Sequence, residues 1–223
     1  MDKAAVFAEI IKQRRSVRAF QANPVPEHTL KTVFELAQRA PSNCNTQPWQ
    51  VALVSGATLE GLRAELPKVW QAGGMTMDFP YDGSYEGVYK TRQYDAARTL
   101  YDAMGIERSD KPARQEQFMR NFTFFGAPHC AFLFLPEPFG LREAADLGMY
   151  AQNLMLSMAA HGIASVPQTA LGFFANTLRE ALDIPESQKL MFGISFGFED
   201  GAAPENKALT DRAIFEDVVK QYN

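Results

Sequence analysis

The most restrictive feature of the sequence is a short basic segment near its N-terminus, Arg14-Arg15-Ser16-Val17-Arg18-Ala19-Phe20. It carries three arginines within five residues, although the whole chain has a net charge of -4. In an extended backbone Arg14, Ser16 and Arg18 point to the same side. Guanidinium groups bind phosphate oxygens through paired hydrogen bonds, and a serine hydroxyl adds a short contact. The segment therefore predicts a phosphate cradle; the alternative is a solvated basic turn after a helix.

Composition limits the classes of protein to consider. A chain of 223 residues can bury a core as one domain, which we place at residues 1–223 with at most a sizeable insertion. A pI near 5.5 argues against a nucleic-acid partner, because the broad basic surface that neutralises phosphates is missing. The two cysteines, Cys44 and Cys130, have no metal-ligand spacing, and no stretch is apolar enough for a membrane span or a leader. These features predict a cytoplasmic enzyme or binding protein with no membrane partner.

Hydrophobic spacing predicts alternating helices and strands. A first helix is expected after Asp2, and a third helix from Thr58 to about Leu66, stopped by Pro67. Large residues alternate with small ones from Leu190 to Phe198, which predicts a strand with all its large side chains on one face.

The segment from Arg142 to His161 predicts a helix that is apolar on nearly every side. Such a helix is buried in a large core or at a subunit interface. Between these regular parts, residues 70–121 form the expected insertion. Its aromatic residues either face a substrate or belong to the core.

A second polar motif lies between two prolines, Pro41-Ser42-Asn43-Cys44-Asn45-Thr46-Gln47-Pro48-Trp49. Amides and hydroxyls form directional hydrogen bonds without charge, which suits the edge of a heterocycle or a polyol chain. The alternative is an ordinary turn rich in Asn and Ser.

Several familiar chemistries are excluded. The stretch from Gly193 to Gly197 matches the G-x-S-x-G nucleophile elbow, but Ser195 falls inside the predicted strand and no histidine follows His161. The histidines show no metal-ligand spacing, and neither a dinucleotide fingerprint nor a phosphate-binding P-loop occurs. No residue is therefore assigned as catalytic or as a metal ligand. Cationic segments beside an amide-rich loop instead indicate a bound cofactor that performs the chemistry.

With these motifs in view, the sequence resembles the FMN-dependent nitroreductase family, and the likeness covers nearly the whole chain. It rests on the basic segment, on the polar loop, on Ser165-Val166-Pro167-Gln168-Thr169-Ala170 and on the tail ending in Arg212. The insertion at residues 70–121 is similar to the longer-insert subgroup, in which it would cover the active site. The resemblance implies an α+β fold, with a mostly antiparallel sheet flanked by helices, in an interlocked homodimer with FMN at the interface.

The resemblance also implies roles for individual residues. The FMN phosphate, ribityl chain and pyrimidine edge are assigned to Arg14, Arg15, Ser16 and Arg18. Arg212 and Lys207 are assigned to the phosphate clamp. The partner subunit is expected to supply Pro41, Ser42, Asn43, Asn45 and Gln47. The isoalloxazine ring is assigned to Pro167, Gln168, Thr169 and Ala170. Family members often carry Glu-Gly in place of Thr169-Ala170, so the surroundings of flavin N5 are expected to differ here.

The implied activity is a ping-pong oxidoreductase reaction, in which NAD(P)H reduces FMN and a nitroaromatic or quinone-type small molecule is then reduced. Two alternatives stay open. One is a flavoenzyme of the same fold with a dedicated metabolite, for dehalogenation or dehydrogenation. The other is a flavin-binding protein without catalysis.

Overall fold

The computed structural model describes residues 2–223. The helices, α1 to α8 in chain order, are Lys3–Gln13, Glu27–Ala37, Gly56–Gln71, Gly87–Ala103, Lys111–Met119, Leu141–Ala160, Ala175–Leu182 and Phe215–Val218. The strands, β1 to β4, are Gln50–Ser55, His129–Pro136, Ala164–Gln168 and Gln188–Gly197. Four 3₁₀ segments connect them, at Asn43–Asn45, Arg120–Gly126, Thr169–Phe173 and Pro204–Lys207.

The four strands form one antiparallel sheet in the order β1-β2-β4-β3. Helices cover both faces, so the sheet separates two apolar clusters. One cluster contains α2 and α6, and the other contains α3, α7 and the aromatic segment Arg120–Gly126. The predicted α+β class, with an antiparallel sheet flanked by helices, is confirmed.

The expectation that all large residues of β4 share one face is wrong at its first residue. In the register with β2, Phe192 pairs with Leu133 while Leu190 pairs with Phe134, so Met191 is an extra residue. A β-bulge of this kind shifts the alternation by one position. Leu190 consequently packs in the α3 cluster, whereas Ile194 and Phe196 pack in the α6 cluster.

The expected end of α3 at Pro67 is also wrong. The helix continues through Pro67 to Gln71 and ends before Gly73, whose φ of 72° lies in the left-handed region. The added turn brings Trp70 against Phe118 and Phe122, with ring centroids 5.2 and 4.9 Å away. Packing of this aromatic group offsets the hydrogen bond that a proline cannot donate.

Helix α6 is not buried on every side. Leu147, Leu154 and Met158 are fully buried, but Met149 keeps 39% of its surface exposed. Residues 145, 148 and 152 are exposed on the same side of the helix as Met149. On α1, which contacts α6, Phe7 is 55% exposed. The isolated chain therefore leaves an apolar face uncovered across these two helices.

The insertion is tied to the body of the protein at its beginning. The Asp78 carboxylate forms an ion pair with Arg179 of α7, with N–O distances of 2.7 and 3.1 Å. The two side chains are largely buried, with 8% and 11% of their surfaces exposed. Asp78 also accepts a hydrogen bond from the backbone N–H of Leu190. Further along, α4 has no buried residue at all. The insertion is thus anchored at its beginning, and its first long helix lies on the surface.

Candidate functional site

The basic segment runs beside strand β3. Ser16 forms a parallel bridge with Ser165, and the Val17 N–H donates to the Ser165 carbonyl at 3.1 Å. Val17 and Ala19 are buried, with 2% and 7% exposure. Because side chains of an extended backbone alternate, Arg14, Ser16 and Arg18 lie on the side opposite these buried residues. The alternation expected from the sequence is present.

Arg15 faces the other way and has partners within the chain. Its guanidinium forms an ion pair with Glu199 and donates to the Asn206 carbonyl at 2.8 Å. These contacts join the segment to the stretch that follows β4. Arg15 therefore differs from Arg14 and Arg18, which form no ion pair within residues 2–223.

The side chain of Asn206 fixes the backbone of the basic segment. Its Oδ1 accepts from the Arg18 N–H at 2.7 Å, and its Nδ2 donates to the carbonyls of Ala19 and Asp200, each at 2.9 Å. Asn206 is buried in the 3₁₀ turn Pro204–Lys207. This buried amide therefore fixes the backbone conformation that places the side chains of Ser16 and Arg18 on the outer side of the segment.

Arg120 supports the same backbone from the insertion side. Its guanidinium donates to the Arg18 carbonyl at 3.0 Å and forms an ion pair with the buried carboxylate of Glu205. Neither Asn206 nor Arg120 was among the residues expected at the site. Their contacts to Arg18 join residues 188 and 102 positions apart, and no local motif indicates such a pairing.

Two cations lie close together at the N-terminal end of the segment. Burial lowers the pKa of Arg14, and the positive charge of Arg212 lowers it further. Arg212 donates to the carbonyls of Thr210 and Asp211, each at 2.9 Å. In the part of the chain described, neither guanidinium has a carboxylate partner, and exposed Lys207 follows Asn206 on the same turn. An anion between Arg14 and Arg212 would relieve their repulsion, so the donor set suits a phosphate.

A cavity of about 430 Å³ opens at this end of the segment, lined by Lys12, Arg14, Arg15 and Leu209 among others. Glu199 is the one carboxylate in its lining, and it is already paired with Arg15. The lining is therefore net positive.

A larger cavity of about 650 Å³ lies between α4 and α5, away from the basic segment. Its lining has three arginines, Arg98, Arg108 and Arg114, and three acids, Asp95, Asp102 and Glu107. These charges balance, so this larger cavity offers no net positive charge to an anion.

The end of β3 presents alternate residues to the surface. Pro167 and Thr169 are exposed, whereas the Gln168 side chain is 3% exposed and lies inside the protein. Ala170 is half-buried. Because the basic segment and β3 run in parallel, Arg14 and Thr169 lie toward opposite ends of one continuous surface. This surface offers cations at one end and a neutral backbone at the other.

The polar loop is held in an unusual backbone conformation. Cys44, Asn45 and Gln47 have φ values of 49°, 55° and 48°, which non-glycine residues rarely adopt. The Asn43 N–H donates to the buried carboxylate of Asp146 at 3.1 Å, and the Gln47 N–H donates to Ser42 Oγ at 2.9 Å. These bonds compensate for backbone strain, a feature common at binding sites.

The structure does not bring this loop to the basic segment of the same chain. No hydrogen bond joins the side chains of Ser42, Asn43, Asn45 or Gln47 to the segment among residues 2–223. The exposed side chains at Pro41, Asn43, Asn45 and Gln47 face solvent in the single chain. They are free to contact a second copy.

Ser195, Cys130 and His129, which were considered for nucleophilic or metal chemistry, lie in the core of the protein. Ser195 is fully buried inside β4, as its place in an alternating strand predicts. Burial strongly raises the pKa of the Cys130 thiol, which makes it a poor nucleophile. His129 is a core residue whose Nε2 accepts from the Val25 N–H at 2.9 Å. Within residues 2–223 no group of three potential ligands is arranged for a metal ion. No helix in the same range is long and apolar enough to cross a membrane.

The fold and site define an α+β protein with a basic segment beside the edge strand β3. The model of the nitroreductase family matches residues 11–198. The nitroreductase NfnB of Mycolicibacterium smegmatis is 46% identical over 214 residues, covering 96% of this chain and 91% of that protein. A 4-nitrobenzoate reductase of Nocardioides sp. is 34% identical over 212 residues, covering 92% of this chain and 85% of that protein. This chain belongs to the nitroreductase family.

A solved structure agrees with this assignment. The crystal structure of the FMN-dependent nitroreductase NfnB from Mycobacterium smegmatis in complex with NADPH superposes with a TM-score of 0.94 at 45% identity. The match covers 99% of this chain and 100% of that one. The two chains therefore share their fold from end to end.

Proposed function

We propose that this chain is an FMN-dependent oxidoreductase that uses NAD(P)H to reduce nitroaromatic or quinone-type acceptors. The observation that carries the proposal is the continuous surface from Arg14 to Thr169, with the unpaired cations Arg14 and Arg212 at one end. Relatives at 46% and 34% identity are named for nitroreductase and 4-nitrobenzoate reductase activity, and one solved relative is FMN-dependent with NADPH bound.

The residues along this surface match the parts of FMN in order, from the phosphate at the Arg14 end to the isoalloxazine ring at the Thr169 end. Arg14 and Arg212 would bind the phosphate, with Lys207 available nearby and the Ser16 hydroxyl adding a short contact. Arg18, on the same side as Ser16, would lie toward the ribityl chain and pyrimidine edge. The exposed backbone at Pro167, Thr169 and Ala170 would border the isoalloxazine ring. Arg15 and the side chain of Gln168 have partners elsewhere and are assigned to holding this surface in place.

The bound flavin would supply two-electron chemistry, taking hydride from NAD(P)H and reducing the acceptor in a ping-pong sequence. The protein would contribute binding and electrostatics. Cations and N–H groups near the pyrimidine edge favour the anionic reduced flavin. No titratable side chain is required at the reacting atoms, since the acceptor can be protonated from solvent.

A homodimer completes the proposed site. The exposed apolar face of α1 and α6 is the surface expected to pair two copies, because large exposed apolar patches mark interaction sites. The polar loop of one copy would then reach the flavin held by the basic segment of the other. We also propose that the chain is one domain, that residues 70–121 cover the active site, and that the protein is cytoplasmic, which its two free cysteines suit.

The test is an absorbance spectrum of the purified protein, recorded before and after NADPH is added without air. We expect flavin bands that bleach with NADPH and return when a nitroaromatic such as 4-nitrobenzoate is added. A flavin that stays oxidised would indicate binding without this catalysis. A colourless protein that does not take up FMN would refute the proposal.

A further inference from the structure

A separate cavity of about 380 Å³ opens beside helix α5 in the insertion. It is lined by Lys111, Arg114, Gln115 and Phe118 of α5 and by Tyr101 of α4. The four residues of α5 are spaced at i, i+3, i+4 and i+7, which places them on one face of the helix. The lining therefore combines two cations with two aromatic rings and contains no acid.

The two cations of this cavity have no ion-pair partner. Neither Lys111 nor Arg114 forms an ion pair within residues 2–223, so the acids of the neighbouring larger cavity pair with neither. Both cations belong to the first four residues of α5, where the helix dipole favours anions and disfavours cations. No acid lies in this first turn, and the carboxylate of the N-cap residue Asp110 accepts the Ala113 N–H at 3.0 Å. An added anion would therefore relieve an unfavourable concentration of positive charge.

Arg114 is held in place with donors still available. Its Nη1 donates to the Arg108 carbonyl at 3.0 Å, and its Cζ lies 5.3 Å from the centroid of the Tyr101 ring. Its Nε is buried and has no acceptor among residues 2–223. A guanidinium has five N–H donors, and buried donors without an acceptor are uncommon. Arg114 is thus fixed by two contacts while several of its donors remain free for a ligand.

The aromatic residues of the cavity lead toward the proposed flavin surface. The ring of Phe118 lies 5.2 Å from that of Trp70, and Trp70 lies 6.3 Å from Phe173, measured between centroids. Phe173 ends the segment Thr169–Phe173, whose first residues would border the isoalloxazine ring. The cavity is therefore joined to the flavin surface through a continuous aromatic cluster.

Cations beside aromatic rings match a planar aromatic ring that carries an anionic group, and the volume lies within the range of small-molecule sites. We propose that this cavity binds such a ligand, with its ring against Tyr101 and Phe118 and its anionic group on Lys111 and Arg114. Two reactants of the proposed function have this chemistry, an aromatic carboxylate acceptor and the adenosine 2′-phosphate end of NADPH. The inference rests on the proposed function, because it takes the ligand from that reaction.

The first test measures the binding of two unreactive probes, benzoate and adenosine 2′,5′-bisphosphate, to the oxidised, FMN-saturated protein by calorimetry. Arg114→Gln should raise the dissociation constant of the bound probe about tenfold, and Lys111→Gln about threefold, because each removes a charged donor. Arg98→Gln is the control. It removes the same charge from the insertion, but its side chain is 70% exposed and lies outside this cavity. It should change the dissociation constant less than twofold.

Steady-state kinetics distinguish the two sources of the ligand. If an aromatic carboxylate occupies the cavity, Arg114→Gln raises KM about tenfold for 4-nitrobenzoate and leaves KM unchanged for nitrobenzene, which has no carboxylate. If NADPH occupies it, the same variant raises KM about tenfold for NADPH and leaves KM unchanged for NADH, which has no 2′-phosphate. Either pattern supports the inference.

A wild-type protein that binds neither probe would overturn the inference, as would dissociation constants at the wild-type value in both Arg114→Gln and Lys111→Gln. If Arg114→Gln does not fold, because its bond to the Arg108 carbonyl is lost, Lys111→Gln at an exposed position decides alone. Failure of the proposed function is a different result, a wild-type protein whose bound FMN is not reduced by NADPH. The probe titrations do not depend on that reduction.

Discussion

The amide of Asn206 holds Arg18 by its backbone, accepting the Arg18 N–H at 2.7 Å while its own Nδ2 donates to the Ala19 carbonyl. Replacing Asn206 with leucine leaves these buried groups without partners, and each such group costs about 1–3 kcal/mol. We expect a loss of about 2–4 kcal/mol in the free energy of unfolding by urea. Lys207→Ala, on the same turn but exposed, is the control and should change that free energy by less than about 0.5 kcal/mol. Equal losses in both variants would contradict the role given to Asn206.

Arg14 and Arg212 are predicted to bind the same phosphate. Arg14→Ala and Arg212→Ala should each weaken FMN binding by about 10- to 100-fold, because a hydrogen bond to a charged group contributes about 1.5–3 kcal/mol. Arg14→Ala combined with Arg18→Ala should nearly abolish flavin retention. Fluorescence titration with FMN at low and high salt measures the loss. Lys68→Ala, on α3 with 70% of its side chain exposed, serves as control. Full FMN retention in the double variant would refute the phosphate cradle.

The exposed face of α6 is predicted to be a subunit interface. Met149→Lys places a charge in that face, and burying an unpaired charge on association is strongly unfavourable. We expect monomers in sedimentation velocity and weaker FMN binding, since the polar loop of the second copy is lost with it. Gln71→Lys, at the exposed end of α3, should leave both properties unchanged. A dimeric Met149→Lys variant would place the interface elsewhere.

The buried ion pair between Asp78 and Arg179 is predicted to anchor the insertion. Asp78→Ala leaves the Arg179 charge buried and unpaired, which costs about 3–5 kcal/mol. The exposed pair of Asp95 and Arg98, with an N–O distance of 2.7 Å, provides a matched comparison. Asp95→Ala should cost less than about 1 kcal/mol in the same urea experiment. Similar losses for the two variants would show that burial does not matter here.

His129 predicts a pH dependence of stability. Burial lowers its pKa below the usual 6.5, because the charged ring is disfavoured in the core. The unfolded chain therefore binds the proton first, and the contribution of His129 is complete above about pH 6.5 and is lost as the pH falls toward the lower folded pKa. The loss is at most about 1.4 kcal/mol per pH unit. Urea unfolding at pH 7.5 and 5.5 should show a smaller pH effect in His129→Gln than in the wild type.

Much of this architecture follows from local patterns. The alternation of Arg14, Ser16 and Arg18 is a property of any extended segment, and the caps and stripes of the helices depend on neighbours a few residues apart. The bulge at Met191 could not be predicted, because it depends on the register with β2. The course of α3 past Pro67 depends on the packing of Trp70 against a segment about fifty residues later.

The candidate site could likewise be predicted from the sequence only in part. Basic and amide residues were recognisable by their chemistry, so the surface could be anticipated. Which of these residues face outward could not be predicted from the sequence. Arg15 is turned inward by its ion pair with Glu199, and Gln168 by its hydrogen bonds to Asn121 and Ser195, and these partners are distant in sequence. Side-chain direction in these two cases is decided by tertiary partners rather than by residue type.

Helix α4 has no buried residue, and this has an evolutionary consequence. Substitutions on such a surface change the free energy of folding by less than about 0.5 kcal/mol in most cases. Selection for stability therefore constrains the sequence of α4 only weakly, while the buried strands β2 and β4 tolerate few changes. Under the proposed role of the insertion, new acceptors could be sampled by mutation along this helix without bringing the protein near its stability threshold.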